Sequence, residues 1–266
     1  MSDDIEVYVS DFLVLATGEN DEPYVPPLPG LSSFHGETIH SREYKSAKRY
    51  KDKRVLVVGK GNSGMEIAYD LSNFGAKASI VIRSPFHVMT KEMIYLGMLL
   101  LKNMPTQMVD NIIDSIASHV YGDLSKYGIQ RPDKGPFYHK IEAGRSPVID
   151  VGTIGKIKAE EIQVFPAITS ITEKKVVFET GAKQEFDVII FATGYKTIAK
   201  NWLKDYKFIL NSDGTPKKSS LNHWKGENGL YCAGFSRMGL AGISKDAKDI
   251  AKDIKTIISS KVEKLN

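Results

Sequence analysis

Residues 54–83 read RVLVVGKGNSGMEIAYDLSNFGAKASIVIR, and the order of residue types in this stretch decides the fold. Arg54 and the apolar run Val55, Leu56, Val57 and Val58 lead straight into Gly59-Lys60-Gly61-Asn62-Ser63-Gly64. A helical pattern follows, in which Gly64, Ala68 and Leu71 share one face with Ile67 and Phe74 beside them. Gly75 supplies a stop, and residues 78–82 form a second apolar run. The stretch therefore predicts a strand, a tight turn, a helix and a parallel strand. In a GxGxxG of this kind the first glycine permits the turn, the second lets backbone approach a pyrophosphate, and the third lets the helix pack close to the sheet. The anion would sit among the unpaired N–H groups of the helix N-terminus. A GxGxxG alone is also compatible with an ordinary strand-to-helix turn; its flanking pattern favours a dinucleotide. An acidic residue at the end of the second strand would hold the ribose of NAD, but this chain has Arg83 there. A guanidinium can pair bidentately with a 2′-phosphate, so the site reads as NADPH-selective, the competing reading being a solvated arginine at a strand end.

With 266 residues, 42% of them hydrophobic, the chain can bury a substantial core in one large domain or two. The net charge of +4 is modest, and the densest basic run, residues 45–54, lacks a groove-reading motif or interleaved aromatics, so no nucleic-acid partner is expected. The single cysteine, Cys232, excludes an internal disulfide and sits in an apolar run as a buried filler. Residues 1–18 do not read as a signal peptide, and the longest apolar candidate, residues 93–101, is too short to span a membrane. These features together predict a cytoplasmic protein. No nucleoside-triphosphate loop, nucleophile elbow, HExxH or His/Cys cluster occurs, so no catalytic side chain and no metal ligand is assigned.

Along the chain, residues 12–16 read as a short strand closed by Thr17-Gly18, ahead of a crossing rich in prolines, Pro23, Pro26, Pro27 and Pro29. Residues 91–121 read as two helices broken at Pro105, and residues 126–147 as loop. Residues 162–178 alternate and predict a small antiparallel meander, followed by a buried parallel strand at 187–192 closed by Thr193-Gly194. A last strand at 230–233 leads through the turn 234–242 into a helix from about Ser244, with Ala247, Ile250, Ala251, Ile254, Ile257 and Ile258 as its apolar stripe. That turn has no fixed spacing, so a flavin-facing role and a plain turn both remain open.

Phe34, Gly36, His40 and Tyr44 match FxGxxxHxxxY, directly ahead of the GxGxSG, and this pair of motifs resembles the signature of the flavin-containing monooxygenases. Finer matches at 12–20, 55–71, 81–89, 150–158 and 229–247 are similar to the plant YUCCA-type indole-3-pyruvate monooxygenases, over nearly the whole chain. The resemblance implies an α/β fold: a Rossmann-like NADP-binding domain with a parallel sheet and small meander at 45–192, its helical and loop insertion at about 85–150. Residues 1–44 and 193–266 would then be parts of an incomplete FAD-binding domain. It also implies FAD and NADPH as cofactors, and as partners dioxygen and an indole-3-pyruvate-like 2-oxo acid decarboxylated to indole-3-acetate. The expected cofactor-binding residues are Gly59, Lys60, Gly61, Asn62, Ser63, Gly64 and Arg83, with Thr17, Gly18, Thr193 and Gly194 at the two Ala-Thr-Gly crossovers. Ordinary strand caps would explain those crossovers equally. The family carries an earlier GxGxxG for the FAD pyrophosphate, and none precedes Gly59, so the sequence is expected to represent an N-terminally truncated monooxygenase. The alternative is an NADP-binding remnant or regulatory module without oxygenase activity; a disulfide reductase would need a second cysteine.

Overall fold

The computed structural model describes residues 6–204, 206–211, 217, 222–236 and 239–263. Its strands are Leu13–Leu15 (β1), Glu22–Pro23 (β2), Glu37–His40 (β3), Arg54–Val58 (β4), Lys77–Val81 (β5), Val88–Met89 (β6), Val148–Ile149 (β7), Ile162–Phe165 (β8), Ile168–Thr172 (β9), Lys175–Phe178 (β10), Lys183–Glu185 (β11), Val188–Phe191 (β12), Tyr195–Lys196 (β13) and Leu230–Cys232 (β14). The α-helices are Asn62–Asn73 (α1), Lys91–Leu100 (α2), Thr106–Tyr121 (α3), Pro136–Ala143 (α4), Thr153–Lys158 (α5), Ala199–Trp202 (α6) and Gly239–Glu263 (α7).

Contacts divide the chain into two units, of which the larger is Tyr24–Thr193. Its centre is a five-stranded sheet in the order β3-β12-β4-β5-β8, every pair parallel. Strands covered on both faces can be apolar at every position, which is why Val55, Leu56, Val57 and Val58 need no alternation. Val55 and Val57 join Ala78, Ile80, Val188 and Ile190 on the face covered by Met65, Ala68 and Leu71 of α1 and by Ile154 and Ile157 of α5. Leu56, Val58, Val81, Ile189 and Phe191 face Ile171, Val176, Phe178 and Phe186 on the other side. Each fully buried side chain of this size contributes about 1.5–3 kcal/mol, so the two faces together supply the unit's main stabilisation. At the sheet's other end, Arg54 forks onto Asp187 (2.8 Å) and Glu185 (2.9 Å), tying β4 to the entry of β12.

The parallel strand, turn, helix and strand expected from residues 54–83 are present as β4, α1 and β5. The meander lies further along the chain than its alternation suggested. It comprises β9, β10 and β11, whereas Ile162–Phe165 pairs in parallel with β5, Ala78 opposite Ile162, and closes the main sheet. Residues 126–147 are not all loop: α4 begins with Pro136 at its first turn and ends at Gly144 in the left-handed region. Its first N–H groups, of Phe137 and Tyr138, donate to the two carboxylate oxygens of Asp110 on α3 at 2.8 and 3.0 Å. A cap supplied by another helix explains how so short a segment becomes helical. The sequence expectation opens the nucleotide domain at residue 45; β3, which lies before that point, is an edge strand of the same sheet.

The smaller unit joins residues 6–23 with the described part of 194–263. β1 pairs in parallel with β14, Leu15 opposite Cys232, and β2 pairs antiparallel with β13. Cys232 is buried and donates to the His223 carbonyl at 3.1 Å, and burial pushes its thiol up to about 12, so it is a packing residue. Helix α7 starts at Gly239, five residues before the expected position, and its packed side is rotated from the expected stripe. Gly242, Asp246 and Ile250 are buried while Ala247, Ala251 and Ile258 are exposed. The reason is polar: Asp246 accepts from His223 (2.9 Å) and from the Gly234 N–H (3.0 Å), and Asp253 accepts from Lys225 and Tyr231. Arg237 and Met238 of the preceding turn lie outside the described residues.

Candidate nucleotide-binding site

β4 ends at Val58, and the chain turns at Gly59 with φ 128, a conformation that side chains rarely adopt. A Cβ there would stand 2.3 Å from the Ala192 carbonyl oxygen, and one on Gly64 would stand 1.9 Å from the Gly59 carbonyl oxygen and 3.5 Å from the Ala192 Cβ. Both glycines are thus required by packing against β4 and the end of β12. Gly61 differs. It has ordinary extended geometry (φ −70, ψ 177), it caps α1 without a side-chain hydrogen bond, and a Cβ built on it meets nothing within 4 Å. The open space lies at the uncapped N–H end of α1, where an anion is best accommodated.

Beside this corner lies a cavity of ≈ 480 Å³ at the C-terminal edge of the parallel sheet. Its wall includes Val58, Gly59 and Lys60 at the end of β4, Val81, Arg83 and Ser84 at the end of β5, and Ala192 and Thr193 after β12. Ligands of open α/β sheets bind at this edge of the strands. Arg83 is exposed. Lys60 is half-buried; its Nζ donates to the Pro85 carbonyl at 2.7 Å and lies 4.8 Å over the Phe86 ring. Burial, reinforced by the positive charges of Arg145 and Arg83, pushes the Lys60 ammonium down to about 8.

The other expected site residues fall into separate places. Asn62 and Ser63 are exposed on the first turn of α1, and the Asn62 Oδ1 accepts the Ile149 N–H at 2.9 Å, so it anchors β7 to the glycine corner. The Thr193 hydroxyl donates to the Tyr24 carbonyl. In the smaller unit Thr17 is exposed, Gly18 has φ 79 with its carbonyl accepting from the Thr197 hydroxyl at 3.2 Å, and Gly194 has φ 82. The FxGxxxHxxxY residues build the sheet edge. His40 is buried at the end of β3 and accepts the Arg42 N–H at 3.2 Å; the Tyr44 hydroxyl donates to Asp70 of α1 at 2.6 Å, and its ring stacks on Tyr50. Gly36 leaves no room for a side chain, since a Cβ would stand 2.5 Å from the Asp187 carbonyl oxygen. Composition did not single out Ser84 or Arg145, whose relevance arises only from the folded arrangement. Among the described residues no cluster of His, Cys, Asp or Glu is arranged to hold a metal ion, and no helix is long and apolar enough to cross a membrane.

A five-stranded parallel sheet with a glycine corner at its C-terminal edge is a Rossmann-like architecture of the FAD/NAD(P)-binding fold. Residues 2–211 match the family model described as FMO-like, flavin-binding monooxygenase-like. The chain is 56% identical over 256 residues to a probable indole-3-pyruvate monooxygenase YUCCA10 of Arabidopsis thaliana, covering 96% of this chain and 67% of that protein. It is 48% identical to the indole-3-pyruvate monooxygenase YUCCA4 of Oryza sativa subsp. japonica, covering 93% of this chain and 57% of that protein. Among solved structures, OTEMO in complex with FAD and NADP superposes with a TM-score of 0.67 at 15% identity, over 97% of this chain and 63% of that one. A flavin-containing monooxygenase from Stenotrophomonas maltophilia gives 0.63 at 17% identity, over 92% and 62%. The chain belongs to the flavin-binding monooxygenase-like family. It spans roughly three fifths to two thirds of the length of these relatives.

Proposed function

We propose that this chain carries the NADPH-binding part of a flavin-dependent monooxygenase that acts on a 2-oxo acid of the indole-3-pyruvate type. The proposed overall reaction consumes the oxo acid, dioxygen, NADPH and a proton, and yields indole-3-acetate, carbon dioxide, water and NADP⁺. The observation that carries the nucleotide part is the corner itself: two glycines forced by packing and a third, Gly61, that faces open space beside the cavity holding Arg83. These residues fit a dinucleotide. Gly59 and Gly64 shape the turn, Gly61 admits the pyrophosphate, the N-terminus of α1 donates to it, and Arg83 takes the 2′-phosphate. Bound there, NADPH would supply hydride, and the protein's share is to hold and orient it.

The flavin assignment rests on family membership and on the names of the relatives. The sequence holds one GxGxxG, at Gly59, and among the described residues of the smaller unit no glycine corner of that kind is present to fit an FAD pyrophosphate. Thr17, Gly18, Thr193 and Gly194 are proposed as the flavin's contacts from this chain. The test is spectroscopic: protein purified with FAD present should be yellow and be bleached by NADPH in the absence of oxygen. Colourless protein that still binds NADPH would replace this reading with that of a nucleotide-binding module without oxygenase turnover.

A further inference from the structure

We propose that Lys60 is a second ligand of the nucleotide's 2′-phosphate, acting together with Arg83, and so a residue that sets the preference for NADPH over NADH. The inference rests on the nucleotide reading above and extends it to a side chain that the fold pattern does not assign. Lys60 occupies the variable position between the first two glycines of the corner. Its side chain runs from the end of β4 toward the end of β5, because its Nζ donates to the Pro85 carbonyl at 2.7 Å and lies over the Phe86 ring, two and three residues beyond Arg83. Lys60 and Arg83 line the same cavity. An ammonium has three donors, and one is spent on Pro85, which leaves two for a ligand.

The electrostatics favour an anion at this place. The charged groups that face Lys60 are Arg83, after β5, and Arg145, after α4, both positive. Among the described residues no carboxylate pairs with Lys60, Arg83 or Arg145. Lys60 and Arg83 line the cavity and Arg145 is near enough to act on Lys60; these like charges repel one another, and a phosphate monoester, close to two negative charges at neutral pH, relieves that repulsion and forms charge-assisted hydrogen bonds. NADH brings no charge to this position.

A consequence in pH separates this role from a structural one. In the free protein the Lys60 ammonium is lost near pH 8. Phosphate binding favours the charged form, so affinity for NADP⁺ is full below that value and declines above it, by about tenfold in all, the value of the charged contact.

The experiment is a calorimetric titration of the whole chain with NADP⁺, NAD⁺ and adenosine 2′,5′-bisphosphate between pH 7 and 9.5. For Lys60→Gln the expected result is roughly a tenfold loss of NADP⁺ and bisphosphate affinity at pH 7, with NAD⁺ unchanged and the alkaline fall gone. Lys60→Arg should keep the affinity and also lose the alkaline fall. Unchanged NADP⁺ affinity and an unchanged pH slope in Lys60→Gln would overturn the role of Lys60 while leaving the nucleotide site intact. Equal loss of NADP⁺ and NAD⁺ would likewise overturn it, in favour of a role in shaping the turn. Wild-type protein that binds none of the three probes would overturn the proposal together with the reading beneath it.

Discussion

The two kinds of glycine in the corner can be separated by experiment. At Gly61 the substitution is Gly61→Val. Its backbone is extended, and the new Cβ would meet nothing within 4 Å. Stiffening the unfolded chain stabilises by about 0.4–1 kcal/mol, while a poorer helix cap costs about as much, so the melting temperature should barely move. The isopropyl group nevertheless fills the space through which a pyrophosphate must approach the backbone. NADP⁺ affinity should fall at least tenfold, or about 1.4 kcal/mol. At Gly64 the substitution is Gly64→Ala, and the balance reverses. The added carbon would stand 1.9 Å from the Gly59 carbonyl oxygen, a backbone atom that cannot rotate away, so α1 must move back by more than an ångström. Overpacking of this kind costs about 1–3 kcal/mol, and the immobile neighbour places it at the upper end. For a unit of this size that corresponds to a fall on the order of 6–12 °C. Thermal melts and nucleotide titrations of both variants make the assay. Retained NADP⁺ affinity in Gly61→Val would show that no phosphate lies against that residue, and a wild-type melt for Gly64→Ala would refute the close approach of α1 to β4.

Arg83→Ala should weaken NADP⁺ binding at least tenfold, the value of a charge-assisted pair, and leave NAD⁺ nearly unchanged; equal weakening in parallel titrations would remove Arg83 from the phosphate. Tyr44→Phe deletes the 2.6 Å bond to Asp70 and should cost about 1 kcal/mol in urea unfolding, whereas an unchanged midpoint would show that this hydroxyl does not hold α1 to the edge of the sheet. The Arg54 guanidinium holds Asp187 down at about 2, against an ordinary 3.8. A depressed carboxylate contributes stability that is complete above the unfolded value and is lost as the pH falls through the folded one. Asp187→Asn should therefore be less stable than the wild type above pH 4, by a modest amount since the pair is part-exposed, and the gap should close toward pH 2. A gap that stays constant with pH would show that charge is not its cause.

The parts of this fold that were legible in the sequence are those whose causes are local. Gly59, Gly61 and Gly64 owe their spacing to one turn, and the apolar runs beside them to strands buried on both faces, so β4, α1 and β5 could be read directly. What escaped depends on partners far along the chain. Alternation in residues 162–165 states that a strand exists but not which sheet it joins, and its partner β5 lies more than 80 residues earlier. Helix α4 carried its own punctuation, Pro136 and Gly144, yet its cap comes from Asp110. The stripe on α7 was misplaced because Asp246 and Asp253 read as solvent-facing until their partners are known. Asn62, expected at a cofactor, bonds a backbone N–H 87 positions away. Lys60 and Arg83 at the cavity, and Arg145 acting on Lys60, come from three separate segments, and no window of sequence shows them together.

The order β3-β12-β4 has a consequence for biosynthesis. The strand that joins the two halves of the sheet is the last of the five to leave the ribosome, about 130 residues after β4. Until Val188–Phe191 is made, β3 has no neighbour and β4 offers an open row of N–H and C=O groups, the kind of edge that recruits foreign strands. Such distant pairing slows folding. A nascent chain stalled before that strand should be insoluble, and the passage to a soluble product should come abruptly as the keystone arrives.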